Sequence, residues 1–166
     1  MTSAAILAHP DFSLPFEIHA DAGGYGLGAL LLQRFGGNEE QLAYASRLMT
    51  PSELNYSTTE QECLALVWAL KKFRYLIWSC PIRVVTDHYA LCWLLSKREL
   101  AGRLACWSLL LQEYYISIFH KNGKLHTDAD ALSRLPVGRA EKLDDDVPWT
   151  EYAHSSSTRA QAGTRR

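Results

Sequence analysis

The hydrophobic period of this chain turns from that of strands to that of a long helix near Thr59, and that change constrains its fold more than any other feature. Upstream, residues alternate from Phe16: Phe16, Ile18 and Ala20 fall on one side, Glu17, His19 and Asp21 on the other, which is the period of a strand. Gly23 and Gly24 supply a turn, and Tyr25 to Arg34 reads as a second strand returning beside the first. Gly36-Gly37-Asn38 is a second turn and Gln41 to Ser46 a third strand, so these segments form an antiparallel meander. From Thr59 to Trp78 the period becomes helical. Cys63, Leu66, Val67, Leu70, Phe73 and Ile77 mark the apolar stripe of a long amphipathic helix, with Lys71, Lys72 and Arg74 mostly off it. Ile82 to Thr86 is a β-rich strand ending at Asp87, and a helix is predicted from Tyr89 to Leu95. Gly102 precedes another helix, with Leu104, Trp107, Ser108, Leu111 and Tyr115 on one face. Tyr115 to His120 alternates as a last strand, Asn122-Gly123 turns the chain, and a final helix starts near Thr127. A hairpin series followed by strands separated by helices implies an α/β fold, a mixed sheet with helices packed on it.

At 166 residues the chain holds one ordinary domain with a real core, as its five Trp and 48% apolar content require. The expected organisation is a connecting arm over 1–15, a folded domain over 16–136 and a disordered tail over 137–166, where Asp144-Asp145-Asp146 and Ser155-Ser156-Ser157 lie in a segment too polar to fold alone. Up to Arg134 there are 12 Lys and Arg against 13 Asp and Glu, so the body is near neutral and should bind a nucleic acid duplex weakly by itself. That points to a module delivered to its substrate by something larger. The four cysteines never form a Cys-x-x-Cys pair, which argues against zinc. They read as buried reduced thiols, and the expected compartment is cytosolic or nuclear. No segment has the pattern of a secretory leader or a membrane span, so a soluble protein is expected.

Four acids, Asp21, Glu62, Asp87 and Asp130, each fall at the edge of a predicted strand or helix. Taken singly, each has a structural explanation. Thr59-x-x-Glu62 fits a capping box, and Thr127-x-x-Asp130 its looser form. Asp87 fits a helix N-cap, and Asp21 a turn residue before Gly23-Gly24. Taken together, two strand ends and two helix starts can share one edge of a mixed sheet, where open sheets place their sites. Four converging carboxylates raise one another's pKa unless cations neutralise them. A pair of divalent ions roughly 3.5–4 Å apart would do so, and is the usual apparatus for phosphodiester cleavage. Other candidates are weaker. Asp128-x-Asp130 lacks the Gly and distal Glu of a calcium loop, His88, His120 and His126 are isolated, and the Gly23 to Gly28 cluster is not followed by a helix.

Five segments, Ile18 to Gln33 (IHADAGGYGLGALLLQ), Ala43 to Thr50 (AYASRLMT), Asn55 to Leu70 (NYSTTEQECLALVWAL), Val85 to Leu95 (VTDHYALCWLL) and Ala129 to Arg134 (ADALSR), resemble the ribonuclease H domain of reverse transcriptases from gypsy-type LTR retrotransposons. The resemblance covers about Leu7 to Pro136 in one register. It implies the ribonuclease H-like fold, a five-stranded mixed sheet flanked by helices, and it places the family's catalytic, metal-binding acids on Asp21, Glu62, Asp87 and Asp130. Glu60 competes with Glu62, but the family pattern puts the acid immediately before the Cys63-Leu64-Ala65 run. Gly23 stands where the family usually has Ser, Cys106 where an Arg is common, and Leu125-His126 where Asp-Asn is frequent.

The resemblance further implies two Mg²⁺ ions, with Mn²⁺ as a substitute, an RNA–DNA hybrid as substrate, and the polymerase region of the same polyprotein as the normal partner. The chain is expected to be a fragment of a Pol polyprotein lacking polymerase and integrase, with RNA-directed DNA polymerase activity a property of the parent alone. Two rivals remain. One is a non-catalytic nucleic-acid or protein interaction module that keeps the fold. The other, a transposase or integrase, requires the Glu last in order, whereas here it is second.

Overall fold

The computed structural model describes residues 5–6, 8–97, 100–121 and 127–134. The predicted tail, Leu125 and His126 lie outside that set. Chain order is β1 (Ala5–Ile6), β2 (Phe16–Ala22), β3 (Gly26–Phe35), β4 (Asn38–Leu48), α1 (Thr58–Ile77), β5 (Pro81–Thr86), α2 (Tyr89–Cys92), α3 (Gly102–Leu111), β6 (Tyr115–His120) and α4 (Thr127–Arg134).

The sheet runs β1-β4-β3-β2-β5-β6. Strands β2, β3 and β4 form the antiparallel meander, while β5 pairs parallel to β2 and β6 parallel to β5. These five strands are the predicted mixed sheet. A two-residue edge strand extends it, with Ala5 opposite Tyr44 and Ile6 opposite Ala43, so the segment taken as a plain arm contributes one element. Residue 42 has no partner in the β3–β4 register, which steps from Leu31–Ala43 to Leu32–Gln41 and so bulges β4 there.

Two of the predicted patterns are altered by packing. Alternation along β2 predicts one wet face, yet Glu17, His19 and Asp21 are all buried. Helix α1 reads as amphipathic, yet every residue from Glu62 to Leu70 is buried. It lies between β2 and β3 on one side and α2 and α3 on the other, and a helix covered all round is apolar all round. Phe16, Ile18, Leu27, Leu31, Leu66, Leu70, Ile82 and Trp107 belong to this core. Of the cysteines, Cys63 is buried as expected, and burial pushes its thiol up to about 12, but Cys106 is exposed on α3. Helix α2 stops at Cys92 rather than Leu95, and Leu94 is buried just beyond it.

Helix α4 takes the opposite face of the sheet. Gly28 alternates with Leu27 and Ala29 of the core, and a Cβ built on Gly28 would lie 2.5 Å from the Ala129 carbonyl oxygen and 2.5 Å from the Ser133 nitrogen. Glycine is therefore required for α4 to dock this closely on β3.

Candidate metal centre

Asp21 lies on β2 directly opposite Gly28 of β3, inside the strand rather than in the turn. Asp87 follows the last residue of β5, beside β2 in the sheet. It is not the N-cap of α2: His88 holds that position, without a side-chain cap bond.

Helix α1 gives Glu60 and Glu62 different surroundings. Its N-cap is Ser57, whose hydroxyl accepts from the Glu60 N–H at 3.3 Å while the Glu60 carboxylate accepts from the Ser57 N–H at 2.9 Å. The capping box is thus Ser57-x-x-Glu60, two residues earlier than the predicted Thr59-x-x-Glu62. Arg103 also donates to Glu60 at 3.0 Å. Glu60 is committed to the helix end, and Glu62 turns inward.

One carboxylate oxygen each from Asp21, Glu62 and Asp87 lie within 4.8 Å of one another. Asp21 and Glu62 are buried, and Asp87 stands at the open rim. Burial first, then the negative charges of Asp21 and Asp87, push the Glu62 carboxyl up to about 8, against a smaller downward pull from the Ala22 backbone N–H. Glu62 Oε2 is buried without a hydrogen-bond partner among the described residues. A buried acceptor facing two more carboxylates is the environment a cation relieves, so the donor set fits hard, oxygen-liganded divalent ions.

Asp130 lies on α4, immediately after the fully buried Ala129, and its side chain is outside the described residues. Helix α4 itself reaches the site: Ser133 Oγ donates to Asp21 Oδ2 at 2.6 Å. Sequence reasoning quoted Ser133 within ADALSR without giving it a part. No signal in the sequence alone gave it one, because the pairing of Asp21 with Gly28, which lets α4 approach, needs the β2–β3 register.

Two histidines that read as isolated flank Asp87. His88 Nε2 shares a hydrogen bond with Thr59 Oγ1 at 3.1 Å, tying the end of β5 to the first turn of α1. His120 Nε2 donates to the Asp87 carbonyl oxygen at 3.1 Å.

Residues 11–114 match the family described as the RNase H-like domain found in reverse transcriptase. The chain is 39% identical over 137 residues to the Pol polyprotein of the Drosophila melanogaster transposon opus, covering 82% of this chain and 14% of that protein. It is 37% identical over 130 residues to that of transposon gypsy from the same species, covering 78% and 12%. The chain therefore spans a small part of these relatives. Among solved structures, an N-terminal RNase H domain from Mycobacterium tuberculosis superposes with a TM-score of 0.57 at 18% identity, covering 73% of this chain and 91% of that one. The LC11 RNase H1 in complex with an RNA/DNA hybrid gives 0.54 at 14% identity, covering 70% and 92%. With the predicted sheet in place and the family matched over most of its folded part, this chain belongs to the RNase H-like domains of reverse transcriptases, of the kind carried in the Pol polyproteins of gypsy-type retrotransposons.

Proposed function

We propose that this domain hydrolyses the RNA strand of an RNA–DNA hybrid, with two divalent cations, Mg²⁺ or Mn²⁺ in its place, held by Asp21, Glu62, Asp87 and Asp130. The observation that carries this reading is Glu62, buried beside two carboxylates with one oxygen unpartnered among the described residues and its carboxyl raised to about 8. Asp21, Glu62 and Asp87, with Asp130 from α4, would be the residues that hold the cations. A cation pair of this kind activates water and stabilises charge on the leaving 3′ oxygen. The chain's own residues supply the rest. The Asp21 and Asp87 carboxylates would attract and orient the cations, and Glu62 would release its proton to solvent on joining them. The buried inner wall keeps bulk water from Asp21 and Glu62, while the rim at Asp87 admits substrate. Selectivity for RNA is assigned to contacts with 2′-hydroxyls across the minor groove.

The near-neutral body favours a domain delivered to its substrate by the polymerase region of a longer polyprotein. Cleavage of a labelled hybrid by the full chain with Mg²⁺, at low salt, tests the reading. Cleavage by the wild type and its loss in Asp87→Asn are expected. Equal cleavage by both overturns the assignment, and no cleavage by a folded protein that binds Mg²⁺ favours the non-catalytic module.

A further inference from the structure

We infer that Ser133 is a positioning residue for Asp21, locking helix α4 to the cation centre through one hydroxyl. The inference rests on reading the acid cluster as a cation site. It starts from the contact itself: Ser133 Oγ donates to Asp21 Oδ2 at 2.6 Å, across 112 residues of sequence, and Ser133 is 1% exposed. A hydroxyl-to-carboxylate bond this short is charge-assisted and strong. An ionised carboxylate offers about four lone-pair sites, so one such bond fixes its rotamer and still leaves both oxygens able to meet a cation.

The surrounding backbone is shaped to hold that hydroxyl. A Cβ at Gly23 would lie 2.8 Å from Ser133 Oγ and 3.0 Å from its carbonyl oxygen, and one at Gly28 would lie 2.5 Å from its nitrogen. Glycine on both sides of the hairpin turn thus leaves room for Ser133 against β2 and β3. Asp130 is three residues before Ser133 on the same short helix. Anchoring Ser133 on Asp21 therefore fixes where the backbone of α4 presents Asp130. Groups that orient a metal ligand from outside the coordination shell typically change metal affinity by about 10–100-fold.

Mn²⁺ binding to the full chain, without nucleic acid and followed by electron paramagnetic resonance, tests this. Ser133→Ala removes the hydroxyl, and Ser133→Cys keeps the volume with a weak donor, so one variant guards against a folding defect in the other. Both are expected to bind Mn²⁺ at least about 10-fold more weakly than wild type at a temperature well below unfolding. In hybrid cleavage, both should need more Mg²⁺ for half-maximal rate and recover most of the wild-type rate when Mg²⁺ is saturating. Wild-type Mn²⁺ affinity in both variants, with any loss confined to thermal stability, overturns the inference and makes Ser133 a packing residue. Absence of Mn²⁺ binding by the wild type overturns it together with the cation site. Failure of the functional reading alone looks different: the wild type binds Mn²⁺, the Ser133 variants bind it more weakly, and none cleaves hybrid.

Discussion

Glu17 and Asp21 lie on the same face of β2, both buried, yet the protein treats their charges in opposite ways. Around Glu17 it supplies a cation and a ring nitrogen of its own. Arg34 Nε donates to Glu17 Oε2 at 2.9 Å and His19 Nε2 meets Glu17 Oε1 at 2.8 Å. Burial alone would raise the Glu17 carboxyl, but these bonds outweigh it and hold the group at about 2. Around Asp21 it places two more acids, and Glu62 is driven up to about 8. Another buried acid, Glu53, follows the first pattern, gripped by both terminal nitrogens of Arg47 at 2.7 and 2.9 Å. This chain pairs buried acids where they serve the fold. Gathering three acids at Asp21 instead builds up the negative charge that the proposed cations would relieve.

The largest effect that could break this contrast is an inversion of stability and activity. Glu62→Gln keeps the shape and removes the acid that crowds Asp21 and Asp87 once it ionises. Metal-free Tm should rise above about pH 8, where wild-type Glu62 is charged, while hybrid cleavage falls by about 100-fold or more, the upper end for losing even an outer partner of a metal ligand. A lower Tm with cleavage intact would put Glu62 on the structural side. Arg34→Ala should do the reverse. It strands a buried carboxylate, and because Arg34 is itself 41% exposed the loss should be about 1–3 kcal/mol by urea unfolding, below the usual figure for a fully buried pair, with cleavage retained.

Titration sharpens the same comparison. Glu62 holds its proton more tightly folded than unfolded, so its contribution to the metal-free fold is full below the usual 4.5 and is lost as pH rises through about 8. Glu17 holds its proton less tightly when folded, so its contribution is full above 4.5 and is lost as pH falls toward about 2. Thermal melts in a chelator should therefore decline on both limbs, with Mg²⁺ flattening the alkaline limb alone. The smallest effect concerns Ser57→Ala, which removes the cap of α1 and should cost about 1 kcal/mol in chemical denaturation without reaching the carboxylates.

The sheet and helix order were legible because the period changes cleanly at α1, and the meander is marked by paired glycines. What escaped was whatever depended on distant partners. The segment Ser57-Thr58-Thr59-Glu60-Gln61-Glu62 contains three overlapping frames for a capping box, Ser57 with Glu60, Thr58 with Gln61 and Thr59 with Glu62, and the inward turn of Glu62 is seen only in its burial. The Glu17–Arg34 pair needs the β2–β3 register to be seen, and β1 is too short to carry a period. Cys106 follows an apolar helical pattern, yet its direction on α3 is outward. Three of the four acids, chosen for their places at element ends, come to one edge because β2 and β5 are parallel neighbours and α1 begins beside them.

The central claim is that the acids gathered around Glu62 hold divalent cations, and calorimetric titration of Mg²⁺ into the full chain at pH 7, repeated in buffers of different ionisation enthalpy, tests it most directly. With its carboxyl at about 8, Glu62 is largely protonated at that pH, so binding should release roughly one proton from the wild type and almost none from Glu62→Gln. Mg²⁺ binding with no proton release from the wild type, or no binding at all, would contradict the account.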